Sequence, residues 1–171
     1  MKKQALSAER LRELLDYDPS TGVFTWRDRD GSGGQNQRRS RVAGSVYSNG
    51  YLNITIDYRA YGAARLAFLW VKGRWPSQLM DHINRDPLDN RWINLREATP
   101  KQNLANSFNS NNKLGLKGVC YEVNRRKFKA YIQVSGKSIN LGRFDTAKEA
   151  QAAYAAAAEK YFGKFARVNT S

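Results

Sequence analysis

The sequence contains very little cysteine and very little histidine. Its 171 residues include one cysteine, Cys120, and one histidine, His82. A single cysteine excludes an internal disulfide framework. With only one histidine beside it, the chain also lacks the ligands of an ordinary structural zinc site. The two absences exclude the disulfide-rich secreted domains and the zinc-finger classes of small protein.

Long apolar stretches are missing as well. No run in the sequence approaches the roughly 18 apolar residues that a membrane-spanning helix needs. The N-terminal residues have no apolar core behind their lysines, so we expect no signal peptide. The sequence therefore predicts a soluble, cytoplasmic protein that does not enter a membrane.

Acidic residues are outnumbered by basic ones. The 29 Lys and Arg residues and the 15 Asp and Glu residues give a formal net charge of +14. Nucleic acid is the commonest partner for such a charge, because Lys and Arg that neutralise phosphates release counterions. An anionic membrane surface is the rival partner, but the chain lacks a basic amphipathic helix. Hydrophobic residues, at 41%, suffice for one ordinary domain or two small ones.

Helix and turn signals divide the N-terminal region into short elements. Residues 6–16 predict a helix with leucines on one face. An Asp-Pro-Ser-Thr-Gly turn at 18–22 precedes a short strand at 23–26. Residues 27–41 are charged, rich in glycine and free of apolar side chains, which predicts a mobile loop.

A hairpin and a core helix are predicted next. The segment Ser48-Asn49-Gly50 lies between strands at 42–46 and 51–56, and it is a strong hairpin signal. The mostly apolar residues 62–72 predict a helix that packs in a core and ends at Gly73.

The densest cluster of polar residues lies at 79–106 and has the pattern strand, loop, strand, helix. Asp81 and His82 are adjacent, so a strand directs their side chains to opposite faces. Thr99 and Pro100 open the helix, and Asn103 follows one turn later. A neutral histidine can activate water near pH 7, and carboxylate and amide oxygens suit a hard cation. These are the groups that phosphodiester hydrolysis needs, although a lone histidine is more often structural.

The whole string, and not the Asp-His pair alone, resembles a known family. The matching segments are Asp81-His82-Ile83-Asn84, Asp89-Asn90-Arg91, Asn94-Leu95-Arg96 and Thr99-Pro100-Lys101-Gln102-Asn103. They resemble the HNH endonucleases of phages and of intron homing enzymes. The resemblance extends over roughly residues 10–106. The further matching segments are Leu15-Asp16-Tyr17-Asp18-Pro19, Gly22-Val23-Phe24-Thr25-Trp26, Ala43-Gly44 and Gly50-Tyr51-Leu52.

The resemblance implies a ββα-metal unit at about 79–106 that cuts double-stranded DNA. Carried over by position, His82 is the general base, and Asp81 and Asn103 hold Mg²⁺ or Mn²⁺. Asn94 orients the base through backbone contacts, and Asn90 braces the loop. The family also implies a phage or intron source, a bacterial host cell, and action as a monomer or as a dimer assembled on DNA.

One position departs from the resemblance. Relatives commonly have a histidine just before the Arg-Leu of the preceding helix, where this chain has Ala64. Either a supporting residue has varied naturally, or an active-site residue has been replaced, for example to trap a DNA complex. The second interpretation favours an alternative function, a catalytically impaired, HNH-derived regulator that binds DNA at a specific sequence.

The C-terminal segment predicts a second small domain. Strands at 116–123, 128–135 and 138–142 precede an alanine-rich helix at 146–161, which predicts a three-stranded antiparallel sheet packed on one helix. The fold class is therefore α+β. The domains are expected at 1–106 and 114–171, joined by a linker at 107–113.

This second segment resembles the DNA-binding domain of plant ethylene-response factors. The matching residues include Gly118-Val119, Lys127-Phe128, Asn140-Leu141-Gly142-Arg143-Phe144-Asp145-Thr146, Ala153-Tyr154 and Phe165-Ala166-Arg167-Val168-Asn169. Alternation along the middle strand turns the polar side chains away from the helix. The residues expected to contact DNA are Lys117, Arg125, Arg126, Lys129, Tyr131, Gln133, Ser138, Asn140 and Arg143. The rival interpretation of this surface is an ordinary solvated sheet face.

Overall fold

The computed structural model of the chain describes residues 6–27, 42–106 and 114–166. Most of the predicted loop, residues 28–41, lies outside the described residues, and so does the whole predicted linker at 107–113. Within the described ranges, no helix combines the length and the apolar character that crossing a membrane requires.

The chain divides into two compact units, Met1–Glu97 and Ala98–Ser171. The division precedes the predicted linker, because the helix after Thr99 packs within the second unit through Ala105 and Phe165. The mixture of helices and strands that the sequence predicted is confirmed. The ββα-metal arrangement stays a prediction.

The first unit consists of short elements around one apolar core. In chain order they are α1 (Ala8–Leu14), β1 (Leu15–Tyr17), β2 (Phe24–Trp26), β3 (Ser45–Val46), β4 (Leu52–Ile56), β5 (Arg59–Gly62), α2 (Ala63–Lys72), β6 (Leu79–His82) and β7 (Leu95–Ala98), whose last residue begins the second unit.

Helix α1 ends earlier than the sequence predicted. Ser7 caps its start by accepting a hydrogen bond from the backbone N–H of Arg10 at 3.1 Å. The predicted helix ran to residue 16, but β1 leaves the helical conformation and pairs with β2 in an antiparallel hairpin. Tertiary pairing therefore overrides the helical pattern, and the predicted turn at 18–22 connects two strands.

The central part of the first unit confirms the predicted hairpin and core helix. Strand β4 lies between β3 and β5 in an antiparallel sheet, and α2 ends at Gly73 in the left-handed conformation. Leu66 and Leu69 of α2 and Ile54 of β4 are fully buried in the same core. Strand β5 was not predicted, because Arg59–Gly62 has little apolar alternation and is held by its pairing with β4.

The second unit contains one helix, the predicted sheet and a long packing helix. Its elements are α3 (Pro100–Asn106), β8 (Val119–Glu122), β9 (Lys127–Val134), β10 (Lys137–Phe144) and α4 (Ala147–Phe162). The strands are antiparallel in the order β10-β9-β8. The predicted sheet with one helix across it is thus confirmed.

Helix α4 is well defined at its start and lies close to the sheet. Thr146 and Glu149 form the predicted capping box. Ala150 packs with β8 and β9 residues, and Tyr154 packs with Ile132 of β9. Gly118 has a φ of +70°, and a Cβ there would lie 2.1 Å from the Tyr154 ring, so only glycine permits this close approach.

Candidate active site

The predicted catalytic pair lies at the buried end of a short strand. Asp81 and His82 are the last two residues of β6, which pairs with β7 in a two-stranded sheet. Their exposed fractions are only 5% and 6%. Because polar side chains are buried only where partners compensate for lost water, their contacts define the site.

Asp81 is held by an arginine. Both Nη2 and Nε of Arg96 contact the same carboxylate oxygen, Oδ2, at 2.7 and 2.8 Å. Arg96 lies on β7, and its side chain is itself mostly buried. A guanidinium with two nitrogens on one oxygen restricts the rotation of the carboxylate and balances its charge.

His82 is held by an asparagine. Its Nε2 lies 3.2 Å from Oδ1 of Asn90, a residue with an exposed fraction of 2%. The Nδ2 of Asn90 donates to the carbonyl of Leu88 at 3.1 Å, which identifies Oδ1 as the acceptor. Neutral His82 therefore carries its proton on Nε2, and Nδ1 is the basic nitrogen.

Asn94 connects three points of the loop that follows β6. Its Oδ1 accepts from the backbone N–H of Asn84 at 2.9 Å, and its Nδ2 donates to the carbonyl of Asp89 at 2.7 Å. Its own carbonyl accepts from the N–H of Ile83 at 2.9 Å. Asn94 thus contacts the backbone directly after His82, whereas Asn90 is the asparagine whose side chain reaches the imidazole.

Asp89 anchors the outer part of this loop. Its carboxylate accepts from Nε and Nη2 of Arg91 at 2.8 and 2.6 Å and from Nδ2 of Asn84 at 2.7 Å. The hydrogen bonds from Arg91 are the main reason that the pKa of Asp89 falls from its ordinary 3.8 to about 2. The carboxylate stays ionised, and so keeps these contacts, at every pH near neutrality.

Three further residues that contact the site had no assigned role in the sequence. The Tyr51 ring lies 6.0 Å from the His82 ring, centroid to centroid. Arg96 pairs with Asp81, and the Tyr17 hydroxyl donates to the carbonyl of Asn90 at 2.7 Å. All three residues stand in the segments that carry the resemblance, which is the one signal that could have identified them.

Asn103 and Ala64 lie on helices. Asn103 belongs to α3 of the second unit, which begins at Pro100 behind a Thr99 cap, as predicted. The meeting of Asp81 and Asn103 at a metal stays a prediction. Ala64 is half-buried near the start of α2 and packs against the core of the first unit.

The two side chains expected to hold a metal are both oxygen donors. Asp81 and Asn103 offer carboxylate and amide oxygens, which Mg²⁺ and Mn²⁺ accept together with several waters. Among the described residues, no group of three or more His, Cys, Asp or Glu side chains could hold a metal.

The outer face of the second sheet carries the polar residues that were expected there. Cross-strand pairs join Lys129 to Arg143 and Tyr131 to Asn140, with Gln133 opposite Ser138 in the same series. The intervening residues, Ala130 and Ile132, are buried toward α4. The predicted inside and outside of this sheet are confirmed.

One acidic residue forms ion pairs with basic groups on this face. The carboxylate of Glu122 contacts Nε of Arg143 at 2.6 Å, Nζ of Lys129 at 3.8 Å and Nε of Arg125 at 3.8 Å. The hydrogen bond from Arg143 is the main reason that the pKa of Glu122 is lowered, and the charges of the other two add to it. Three cations expected to contact DNA thus share one carboxylate.

Lys117 and Arg126 differ in their surroundings. The ammonium of Lys117 donates to the carbonyls of Leu104 and Ala105 at 2.9 and 2.6 Å, where it satisfies the C-terminal end of α3. Arg126 is exposed and has a φ of +51° at the turn before β9. The last residues of the second resemblance, 167–169, lie outside the described residues.

Comparisons with known proteins cover the part of the chain that contains the site. Residues 61–105 match the family described as HNH endonuclease. A protein of Acanthamoeba polyphaga mimivirus, named as an uncharacterized HNH endonuclease, is 34% identical over 102 residues, which are 59% of this chain and 52% of the viral protein. The chain thus spans about half the length of this curated relative. No solved structure matches the chain.

The matched segment contains both the buried pair and the asparagines of the loop. It begins in β5 and ends in α3, one residue short of the last helical position. Residues 61–105, with Asp81, His82 and Asn103, are therefore similar in sequence to the HNH endonuclease family.

Proposed function

We propose that the chain is a metal-dependent HNH endonuclease that hydrolyses phosphodiester bonds in double-stranded DNA. The observation that carries the proposal is the contact between His82 Nε2 and Asn90 Oδ1, beside buried Asp81, within a segment similar to HNH endonucleases. The formal charge of +14 supports a polyanionic substrate.

The protein residues divide the chemical work. The Asn90 amide keeps the Nε2 proton in place, so Nδ1 of His82 can take a proton from the attacking water. Asp81 and Asn103 would hold the divalent cation. That cation, when bound, stabilises the negative charge that develops on the phosphate and on the leaving oxygen. The network around Asn94 keeps the loop after His82 rigid, which fixes the position of the base.

The second unit supplies affinity in this proposal. The outer face of the sheet presents Lys129, Tyr131, Gln133, Ser138, Asn140 and Arg143 in register. Long polar side chains on a three-stranded sheet can reach base edges in the major groove. One active site in each chain cuts one strand, so a double-strand break needs two chains on the DNA or two successive events.

A homing or phage-type role completes the proposal. The mimivirus relative favours a viral or mobile-element source, and the substrate would then be the DNA of a host cell. A DNA-binding regulator without activity is the second candidate, and Ala64 is the observation that favours it. Cleavage by the native chain distinguishes the two functions.

The decisive experiment compares the native chain with His82→Ala. Both are incubated with bacterial genomic DNA and Mg²⁺, and the cut ends are mapped by sequencing. We expect the variant to lose on the order of 10²–10⁴ in rate, because it has lost the general base, while its DNA affinity is unchanged. Tyr58→Ala, at a side chain that is 99% exposed, is the control. Cleavage by His82→Ala at the native rate would refute the assignment.

A further inference from the structure

The turn between β1 and β2 packs directly on the loop that carries Asn90. The Tyr17 hydroxyl donates to the Asn90 carbonyl at 2.7 Å, in a buried position. The carbonyl of Pro19 accepts from the backbone N–H of Trp92 at 2.9 Å. The chain therefore brings residues 73 positions apart into contact at the residue that holds the imidazole of His82.

Gly22 makes this approach possible. Its φ is +76°, and a Cβ built there would lie 2.4 Å from the carbonyl carbon of Asn90 and 2.5 Å from the backbone nitrogen of Arg91. Atoms that close overlap, so any side chain at residue 22 would push the loop away from the turn. The contact is backbone against backbone, which leaves little freedom for relaxation.

The turn itself is held by hydrogen bonds within it and by a ring contact. The Asp18 carboxylate accepts from the backbone N–H and the hydroxyl of Ser20 at 2.8 and 2.7 Å, and from the hydroxyl of Thr21 at 2.9 Å. The ring of Tyr17 packs on Phe24, with centroids 4.6 Å apart. A turn fixed by these contacts can hold in place the loop that it touches.

The chemistry of Tyr17 suits a permanent donor. Burial is the main reason that the pKa of its phenol is raised, and the charges of Asp18 and Asp89 raise it further. The hydroxyl therefore stays protonated near neutral pH and can donate to the Asn90 carbonyl there.

We propose that Tyr17 and Gly22 are positioning residues for His82, acting through Asn90. The inference rests on the proposed function, in which His82 is the base. Asn90 receives the turn on its backbone and presents its Oδ1 to the imidazole at 3.2 Å. A displacement of the loop by about 1 Å would break that hydrogen bond, so the single ring proton of neutral His82 could lie on Nδ1 instead of Nε2, with a cost of up to about 10²-fold in rate.

The experiment uses the full chain and three variants. Tyr17→Phe removes only the hydroxyl, and Gly22→Ala introduces the overlap. Tyr58→Phe is the matched control, because it makes the same change at a side chain that is 99% exposed. The chain has one histidine, so its imidazole ¹⁵N resonances in the NMR spectrum report on His82 alone. The spectra are recorded at one alkaline pH in the presence of chelator. DNA affinity is measured under the same conditions, and single-turnover cleavage is measured in Mg²⁺.

We expect an Nε2-protonated imidazole in the native chain and in Tyr58→Phe. In Tyr17→Phe and Gly22→Ala we expect a mixture of the two tautomers and unchanged DNA affinity. We expect cleavage to be lower by about 10-fold in Tyr17→Phe and by about 10²-fold in Gly22→Ala. Tyr17→Phe keeps the ring contacts, so it decides the outcome if Gly22→Ala does not fold, as judged by circular dichroism.

Two results would overturn the inference: an imidazole spectrum of Tyr17→Phe identical to that of the native chain, or altered tautomers with undiminished cleavage. If the native chain cuts no DNA, the proposed nuclease function is rejected. A tautomer change in the variants of such a protein would still support the positioning of His82 by the turn, so the two failures are distinguishable.

Discussion

Arg96 holds the carboxylate of Asp81 with two nitrogens on one oxygen, at 2.7 and 2.8 Å. The exposed fractions of the two side chains are 14% and 6%, so little water would replace either partner. Removal of one member of a buried pair leaves an uncompensated charge, which is costly. We therefore expect Arg96→Gln to lower the free energy of unfolding by about 3 kcal/mol, measured by chemical denaturation.

The pair of Arg74 and Glu97 is the control for this prediction. It spans 3.3 Å, and the Arg74 side chain is well exposed. Arg74→Gln should therefore change stability by less than about 1 kcal/mol. If Arg96→Gln is no more harmful than Arg74→Gln, the buried pair does not stabilise the first unit.

Metal dependence is the second prediction. Because Asp81 and Asn103 offer oxygen ligands, we expect Mg²⁺ or Mn²⁺ to support cleavage and excess EDTA to stop it. Asp81→Asn should reduce cleavage at every Mg²⁺ concentration while DNA affinity in EDTA is retained. Cleavage that continues at the full rate in excess chelator would contradict a metal-assisted mechanism.

The third prediction concerns the acid stability of the loop after β6. Asp89 has a pKa of about 2 in the folded protein and an ordinary value of 3.8. A lowered pKa stabilises the fold at pH values above 3.8, and this contribution is lost as the pH falls toward about 2. Asp89→Asn should therefore be less stable than the native chain at neutral pH, with a difference that shrinks over this acidic range. Urea denaturation at a series of pH values measures this difference in the free energy of unfolding. A difference that does not depend on pH would count against the ion pair of Asp89 and Arg91.

Glu122 is the subject of the fourth prediction. In the protein without DNA, its carboxylate forms ion pairs with Arg125, Lys129 and Arg143. Glu122→Gln should release these cations for phosphate, so non-specific DNA affinity rises. The log–log dependence of that affinity on salt should steepen by roughly 0.9 for each further phosphate that the released cations neutralise. Fluorescence anisotropy over a range of salt concentrations measures both.

Removal of a different carboxylate in the second unit controls for the change in net charge. Glu159 is exposed on α4, so Glu159→Gln makes the same change of charge away from the cluster. A salt dependence of Glu122→Gln that equals that of Glu159→Gln would show that the three cations do not contact phosphates.

The fifth prediction concerns the packing of α3. Phe165 is buried against Ala98 and Ala105, which flank Asn103 in sequence. Phe165→Ala should lower the stability of the second unit by about 3 kcal/mol and should reduce cleavage, because α3 carries a proposed metal ligand. Tyr161→Ala, at a side chain that is 42% exposed, should change stability by less than about 1 kcal/mol. Equal effects of the two variants, measured by thermal denaturation, would contradict the packing role of Phe165.

Elements with strong local signals were predicted from the sequence. The turn at Asn49-Gly50, the helix that ends at Gly73 and the capping box of Thr146 each depend on a few neighbouring residues. The polar string from Asp81 onward could also be predicted as a candidate site, because its residue types and spacing lie within one short segment. Local chemistry sufficed in each of these cases.

The sequence by itself determined which residues could do chemistry, since one histidine, one Asp-His pair and a charge of +14 are properties of the chain. Only the tertiary structure decided what holds them. It paired Arg96 with Asp81, Asn90 with His82, and Tyr17 with Asn90. It also ended α1 early and placed Glu122 among three cations. These contacts depend on how the chain folds back on itself, and periodicity and turn signals describe only the local conformation of a segment, so no local pattern could predict them.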